Sequence, residues 1–360
     1  MPQGRPERKT AVRGSIFHIA PQPAQATFAA TGKGIRLKIL VTGGAGYIGG
    51  TVAGLLVAQG HDVVVLDNLG HSKRSMIPAG TAFVEADLAD RVTVERTLAD
   101  GVEAVLHFAA LIEAGESMQV PERYFRNNTA STLTLLESML AAGVHKLVFS
   151  STAAVYGEPG STPIREDAKL QPTNAYGESK LLVEQMLAWL HRSHGLRYAS
   201  LRYFNVAGAM PGRGEAHEPE SHLIPLILDA AMGRRAAIKV YGSDYPTPDG
   251  TCIRDYIHVH DLAQAHLLAL AALGDAARPG RLIYNLGNGQ GFSVREVIDT
   301  ARRITGRDIP VIEEARRPGD PAVLVASSEK IREELGWTPE HASLDPILAS
   351  AWEWHQLRFA

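Results

Sequence analysis

The junction between Leu37-Lys38-Ile39-Leu40-Val41 and Thr42-Gly43-Gly44-Ala45-Gly46-Tyr47-Ile48-Gly49 constrains this chain more than any other stretch. The first run reads as a buried β-strand. Apolar residues then recur at helical spacing through Val52, Leu55, Leu56 and Val57, and Gly60 closes the segment. Strand, glycine turn and helix in immediate succession form the context of a dinucleotide fingerprint. Gly43 permits the tight turn, Gly46 lets the backbone approach a pyrophosphate, and Gly49 lets the helix pack close to the strand. The helix N-terminus then receives the negative charge. The spacing here is Gly-x-x-Gly-x-x-Gly rather than Gly-x-Gly-x-x-Gly.

A second strand, His61 to Asp67, ends in a carboxylate 18 residues after Gly49. An acid there accepts hydrogen bonds from ribose hydroxyls and repels a 2′-phosphate, which favours NAD over NADP. Lys73 and Arg74 lie nearby and temper that preference. Further strand-like runs follow at Ala82–Asp87, Ala104–Phe108, Lys146–Ser150 and Arg197–Arg202, with helical patterns between them, notably Val120–Ala142 and Asn174–His194. Such alternation predicts an α/β fold, a doubly wound (Rossmann) parallel sheet covered on both faces. Ligands of these sheets bind beyond the carboxyl ends of the strands. Asp87, Phe108-Ala109-Ala110 and Ser150-Ser151-Thr152 stand at such ends and are expected to line one crevice.

Tyr176-Gly177-Glu178-Ser179-Lys180 places a phenol and an ammonium four positions apart, on one face of a helix. A free tyrosine titrates near pH 10, and a neighbouring cation favours its phenolate. The pair is therefore a proton-transfer device. Alone it is a weak signal, since many helices carry a solvated lysine beside a half-buried ring. Its weight comes from the nucleotide frame upstream.

At 360 residues the chain is long enough for a large core and two lobes. Its net charge of −3 supplies no basic footprint for nucleic acid. No apolar run approaches membrane-spanning length. The single Cys252 excludes an internal disulfide framework and fits a reducing cytoplasm. Residues 1–36 differ in composition, with six Arg/Lys against one Glu. They read as a disordered N-terminal extension; a transit peptide and a misplaced translation start are the alternatives.

With these elements in order, the chain resembles the extended short-chain dehydrogenase/reductase family, whose marks here are Thr42–Gly49, Thr152, and Tyr176 with Lys180. Within that family the likeness is to the nucleotide-sugar 4-epimerase branch. It is carried by Leu66-Asp67-Asn68-Leu69, Gly115-Glu116-Ser117, Leu201–Asn205, Gly250–Val259 and Arg316–Asp320, and it runs from about Leu37 to the C-terminus. The resemblance implies interconversion of UDP-galactose and UDP-glucose on tightly bound NAD. Tyr176 would take the proton of the sugar 4-hydroxyl as hydride leaves C4. Lys180 would lower the phenol pKa, and Thr152 would bridge phenol and sugar oxygen. The 4-keto sugar would then turn and be reduced on its other face.

The same likeness implies that Tyr47, Ile48, Asn68, Ser72, Leu88, Asn127 and Phe204 join the residues above around NAD. It implies that Asn205, His222, Leu223, Arg254, Arg317 and Asp320 hold the UDP-sugar, the two arginines because a guanidinium fork matches phosphate oxygens. It also implies a homodimer built from the two long helices. The expected layout is an NAD-binding domain over 37–204 and a smaller substrate lobe over 205–360, interleaved because the strand near Tyr284-Asn285-Leu286 returns to the main sheet.

Several positions depart from the branch's pattern. His222 and His71 stand where relatives carry asparagine, and Ile112 where some carry lysine. Leu324 falls at the position that decides whether N-acetylated sugars enter, and leucine is intermediate in size. Rival readings are weaker. Dehydratases and decarboxylases of the family need a carboxylate just after the threonine, where this chain has Ala153 and Ala154. A 4-epimerase of a uronic acid nucleotide stays open. A non-catalytic NAD sensor would be expected to lack the tyrosine or lysine. His258-x-His260-Asp261 offers too few ligands for a metal site, so none is expected. Cys252, Trp352 and Trp354 read as packing, and Ser293 with Glu296 reads as a capping box.

Overall fold

The computed structural model describes residues 36–317 and 320–360. The extension expected over 1–36 falls, except for Arg36, outside the described residues, as do Pro318 and Gly319 of the Arg316–Asp320 motif.

Six strands open the chain in parallel: β1 (Lys38–Thr42), β2 (Asp62–Asp67), β3 (Ala82–Glu85), β4 (Ala104–His107), β5 (Lys146–Thr152) and β6 (Arg197–Tyr203). They are followed by β7 (Asn205–Ala207), β8 (Ile238–Tyr241), β9 (Ile253–His258), β10 (Arg281–Leu286), β11 (Gly291–Ser293), β12 (Val311–Glu314) and β13 (Val323–Leu324). The main sheet has the order β10-β6-β5-β4-β1-β2-β3. Its strand order reverses at β1, between β2 and β4, and there a doubly wound sheet opens a crevice. The strand predicted near Tyr284 is β10, which pairs in parallel with β6.

Alternation along a strand sends successive side chains to opposite faces. Ile39 and Val41 therefore enter one core, with Val52 and Leu56 of the helix Tyr47–Ala58 and Leu262 of the helix Val259–Gly274. Leu40 enters the other, with Val94, Leu136, Val183 and Leu187 from the helices on that side. Both faces are covered, which is why β1 and β2 read as continuous apolar runs.

A third core, around Ile227, Ile298 and Ile347, joins the helices Leu223–Ala231, Val294–Thr305 and Leu344–Arg358. The capping box predicted at Ser293 and Glu296 is present. Trp352 packs on this core, and the Trp354 indole donates to the Glu215 carbonyl at 2.7 Å.

The long helix predicted over Val120–Ala142 is interrupted. Pro121–Tyr124 and Ser131–Ala141 are α-helical, and Phe125–Ala130 between them is a π turn. Such widening often accompanies function. Here it carries Asn127 and Asn128, and the buried Asn128 amide exchanges two hydrogen bonds with the Leu111 backbone, at 2.8 and 2.9 Å. No amphipathic period reveals this, since a π turn leaves the apolar spacing on both sides helical.

Candidate active site

The crevice at the switch point is shaped by what its backbone excludes. Gly43 has φ +71°, and a Cβ on it would lie 2.6 Å from the Ala109 nitrogen. The turn after β1 thus runs against the segment Phe108–Ala110 after β4, and only glycine fits. Gly46 caps the helix Tyr47–Ala58 with no side chain bonded to its first turn. Those N–H groups face the crevice as an anion receptor. Ser72 lies beside Gly46, its hydroxyl 3.8 Å from where a Cβ there would be.

Asp67 ends β2 and is buried. It accepts from the Ala45 nitrogen at 3.1 Å and from the Leu69 nitrogen at 2.9 Å. Burial pushes its carboxyl upward, and those two bonds hold it down in part. Asp67 therefore also anchors the glycine turn, and it restrains Leu69, a non-glycine residue at φ 56°. Asn68 donates to Asp87 at 2.8 Å, joining the ends of β2 and β3, with Leu88 buried behind. The Tyr47 hydroxyl donates to the Gly208 carbonyl at 2.6 Å, and Ile48 packs on the first core.

Thr152 ends β5, and its hydroxyl accepts from the Ala154 nitrogen at 3.2 Å. The helix Ala175–His194 starts at Asn174, which caps the Gly177 nitrogen at 2.8 Å. A Cβ on Gly177 would sit 2.6 Å from the Ala154 carbonyl oxygen. The glycine inside Tyr-Gly-Glu-Ser-Lys thus lets the helix press against the turn after Thr152, and the Thr152 hydroxyl stands near enough to the Tyr176 phenol to oppose part of its upward pKa shift. Ser117 fixes the helix start by accepting from the Tyr176 nitrogen at 3.1 Å.

The electrostatics differ from the sequence expectation. Burial pushes the Tyr176 phenol above its ordinary value, the Thr152 hydroxyl opposes this, and Glu113 adds to it. Lys180 is itself buried, which lowers its ammonium to about 7. It donates to the Ser150 carbonyl at 2.9 Å and lies 5.0 Å above the Phe149 ring. The expected lowering of the phenol by Lys180 is therefore not what this structure shows. A lysine titrating near neutrality carries only part of its charge there, and desolvation of the phenol prevails.

On the substrate side, Asn205 opens β7, which runs parallel to β9. Arg254 in β9 donates to the Pro321 carbonyl at 2.9 Å and forms an ion pair with Asp320. Arg317 lies 3.8 Å over the Tyr241 ring. Arg317 and Asp320 line a cleft of about 520 Å³ with Glu158, Tyr245 and Arg316. Asp320 thus meets Arg254 as well as the space expected for a ribose. His222 caps the helix that begins at Leu223 and pairs with Glu220 at 2.8 Å. Burial opposes its charge, but Glu220, Glu215 and Glu113 raise it to about 9, so it is a cation at neutral pH.

Leu324 of β13 stands opposite Arg254 and packs against the cluster of Val155, Leu181 and Phe204. Glu113 and Asn128 escaped the sequence reading. Ser150 had been placed at a strand end, but it serves through its carbonyl, which no side-chain pattern discloses. Glu113 works through space from a loop.

Residues 39–287 match the NAD dependent epimerase/dehydratase family. The chain belongs to that family. Its cofactor is NAD, and the crevice fits it, with a cradle that tolerates no Cβ, an open helix N-terminus and an acid at the end of β2. A UDP-glucose 4-epimerase of Streptomyces lividans is 55% identical over 322 residues, covering 88% of this chain and 96% of the relative. A solved UDP-glucose 4-epimerase superposes with a TM-score of 0.87 at 48% identity, over 89% of this chain and 98% of the other. The Bifidobacterium longum UDP-glucose 4-epimerase, solved with NAD+ and UDP, gives 0.84 at 39% identity, over 89% and 98%. The sequence resemblance and the α/β fold expectation both stand.

Proposed function

We propose that this chain is a UDP-sugar 4-epimerase that interconverts UDP-galactose and UDP-glucose. The observation that carries the reading is the placement of Tyr176 beside Thr152, set by Gly177 against the turn that follows β5.

The chemistry follows from the groups present. Thr152 both donates and accepts, so it holds the phenol and the sugar 4-oxygen in one line. Tyr176 takes the 4-hydroxyl proton and later returns it to the same oxygen once the 4-keto sugar has turned. NAD, when bound, supplies the hydride acceptor and donor for C4 and a positive ring whose charge favours the phenolate. Lys180, fixed at the Ser150 carbonyl, is a buried ammonium lowered to about 7, so it can release its proton near neutrality. Arg254 and Arg317 are the forks for the diphosphate, with His222 as a further cation. Asp320 and Asn205 hold the nucleotide, so that the 4-keto sugar turns while UDP stays. Asn127 and Phe204 complete the cofactor wall. The domain division at 204/205 is functional: NAD and proton transfer on one side, the UDP-sugar on the other.

Purified protein incubated with UDP-galactose and no added cofactor is expected to yield UDP-glucose at a constant ratio, without net NADH. Accumulation of a 4-keto product, or loss of CO₂ from UDP-glucuronate, would move the assignment to a sibling chemistry.

The two long helices expose Leu133 and Trp189, 40% and 65% accessible, and we take that face as the seam of a homodimer. Trp189→Glu should give a monomer in light scattering. No helix among the described residues is long and apolar enough to cross a membrane. Cytoplasmic residence fits the lone, buried thiol, which burial pushes upward and away from reactivity.

A further inference from the structure

Ser151 of β5 and Arg202 of β6 are paired in register, and both reach Glu184 on the helix Ala175–His194. Glu184 Oε1 accepts from the Ser151 hydroxyl at 2.6 Å and from Arg202 Nε at 3.0 Å. Its Oε2 accepts from Arg202 Nη2 at 2.6 Å, which completes a bidentate fork. Arg202 Nη1 donates onward to the Tyr156 hydroxyl at 2.7 Å and to the Glu166 carbonyl at 3.2 Å. Tyr156 in turn donates to Asn285 Oδ1 of β10 at 2.7 Å. Ser151, Arg202, Glu184, Tyr156 and Asn285 are all more than nine-tenths buried.

The place of this hub is as telling as its bonds. Glu184 stands four residues beyond Lys180, on the same face of the helix. Ser151 lies between Ser150, whose carbonyl accepts from Lys180, and Thr152. Tyr156 ends the turn Ala153–Tyr156 that directly follows Thr152. One buried charge pair therefore holds both flanks of Thr152 and the next turn of the helix that carries Tyr176 and Lys180.

A buried ion pair is a poor device for stability alone, since desolvation offsets its attraction and apolar residues of similar volume often serve as well. What a fork of fixed geometry supplies is register. Apolar contacts such as those of Val183 and Leu187 tolerate sliding of a helix over a sheet, and directional bonds do not. Register matters here because the proton-transfer group is divided between two elements: phenol and ammonium on the helix, the Thr152 hydroxyl and the Ser150 carbonyl on β5. A misplacement of about 1 Å between such partners can cost about 10²-fold in rate.

Resting on the reading of Tyr176 as the base, we propose that Glu184 and Arg202 are positioning residues of the reaction. Through Ser151 and Tyr156 they fix the helix of Tyr176 and Lys180 in register with the strand end of Thr152. Their polar atoms are spent on one another and on the residues they hold, so they act only through those residues.

The test is steady-state kinetics with UDP-galactose on three variants of the full chain. Ser151→Ala removes one bond and leaves the ion pair whole; Tyr156→Phe removes the hydroxyl on the far flank of Thr152; Glu184→Gln breaks the fork. The expected loss of kcat is about tenfold for Ser151→Ala, less for Tyr156→Phe and about 10²-fold for Glu184→Gln. KM should stay within about twofold and bound NAD should stay complete, because neither the cleft nor the glycine cradle is touched. Ser138→Ala is the control, an equally buried hydroxyl that donates to the Thr134 carbonyl at 2.8 Å, away from the hub. It should lower the melting temperature about as much as Ser151→Ala and leave kcat unchanged. Unchanged kcat in both Ser151→Ala and Tyr156→Phe overturns the proposal, whether or not Glu184→Gln folds. An equal loss of kcat in Ser138→Ala overturns it too. Tyr176→Phe, run alongside, separates the two layers. If it keeps its activity, the base reading fails and the proposal with it; if it is inactive while the hub variants are not, only the positioning role fails.

Discussion

The NAD crevice and the UDP-sugar cleft are built by opposite strategies. Gly43, Gly46, Gly49 and Asp67 all lie within one strand–turn–helix–strand unit, and backbone hydrogen bonds from Ala45 and Leu69 to Asp67 close that unit on itself. The substrate side is assembled from segments far apart in sequence: Arg254 and Asp320 are separated by 66 positions. Local geometry dictates the first site, because a tight turn and a close helix admit only certain residues. Tertiary packing dictates the second, where a side chain's meaning depends on what the fold brings opposite it. Damage should follow the same division. Changes at the reacting wall should strike turnover, and changes in the distant cleft should strike affinity.

The largest expected effect breaks the first half of that comparison. Tyr176→Phe removes the phenol beside Thr152 and should lower kcat by about 10²–10⁴-fold. Bound NAD, measured after denaturation of the purified protein, should be unchanged, because the glycine cradle and Asp67 are untouched. A variant that keeps most of its activity would end the assignment of Tyr176 as the base.

Arg254→Ala tests the other half. On the proposed function, removing the guanidinium would deprive the diphosphate of a charge-assisted fork, commonly about 1.5–3 kcal/mol. KM for UDP-galactose should rise by roughly tenfold to a hundredfold, with kcat changed little. The ion pair lost with Asp320 is partly exposed and should cost little stability. If kcat fell as much as Tyr176→Phe lowers it, the two sites would not be separable in function.

These two variants also mark what was legible in the sequence. The sheet and its carboxyl-end crevice follow from strand periodicity, and Tyr176 with Lys180 from their spacing in sequence, whereas the place of Thr152 beside them came from the family resemblance. The charge state of Lys180 does not, because its burial against Phe149 and the Ser150 carbonyl depends on how a helix docks on β5. The ion pair of Arg254 with Asp320 was equally hidden: each residue was singled out, but nothing in their spacing places them face to face. The π turn at Phe125–Ala130 left no trace in the apolar pattern at all.

A smaller effect sharpens the contrast through pH. In the unfolded chain Lys180 titrates near 10.4, and in the folded chain near 7. Between those values the unfolded chain holds a proton that the folded chain has released, so this residue makes stability rise with pH. The slope is at most about 1.4 kcal/mol per pH unit. His222 acts oppositely: raised to about 9, it contributes stability that is complete below about 6.5 and is lost as pH rises through 9. The discriminating measurement is therefore the urea midpoint of Lys180→Met against the unaltered protein at pH 7, 8 and 9. The urea midpoint of the unaltered protein should rise relative to that of Lys180→Met as pH rises, because the folded chain has released the Lys180 proton that the unfolded chain keeps. A constant difference would mean that Lys180 keeps its ordinary pKa in the fold.

The smallest effect concerns Leu324, where cofactor wall and substrate cleft meet. Its side chain packs with Phe204 and stands opposite Arg254. A bulkier group there narrows the space on the sugar side without touching either phosphate fork or phenol. Leu324→Tyr should therefore lower kcat/KM for UDP-N-acetylglucosamine relative to UDP-glucose by up to about tenfold, the scale of a modest change in an apolar pocket. Leu324→Ala should shift the ratio the other way. Competition between the two substrates in one reaction measures that ratio directly. If both variants changed the two substrates in step, Leu324 would be a packing residue of the shared cluster, and size selection would lie elsewhere in the cleft.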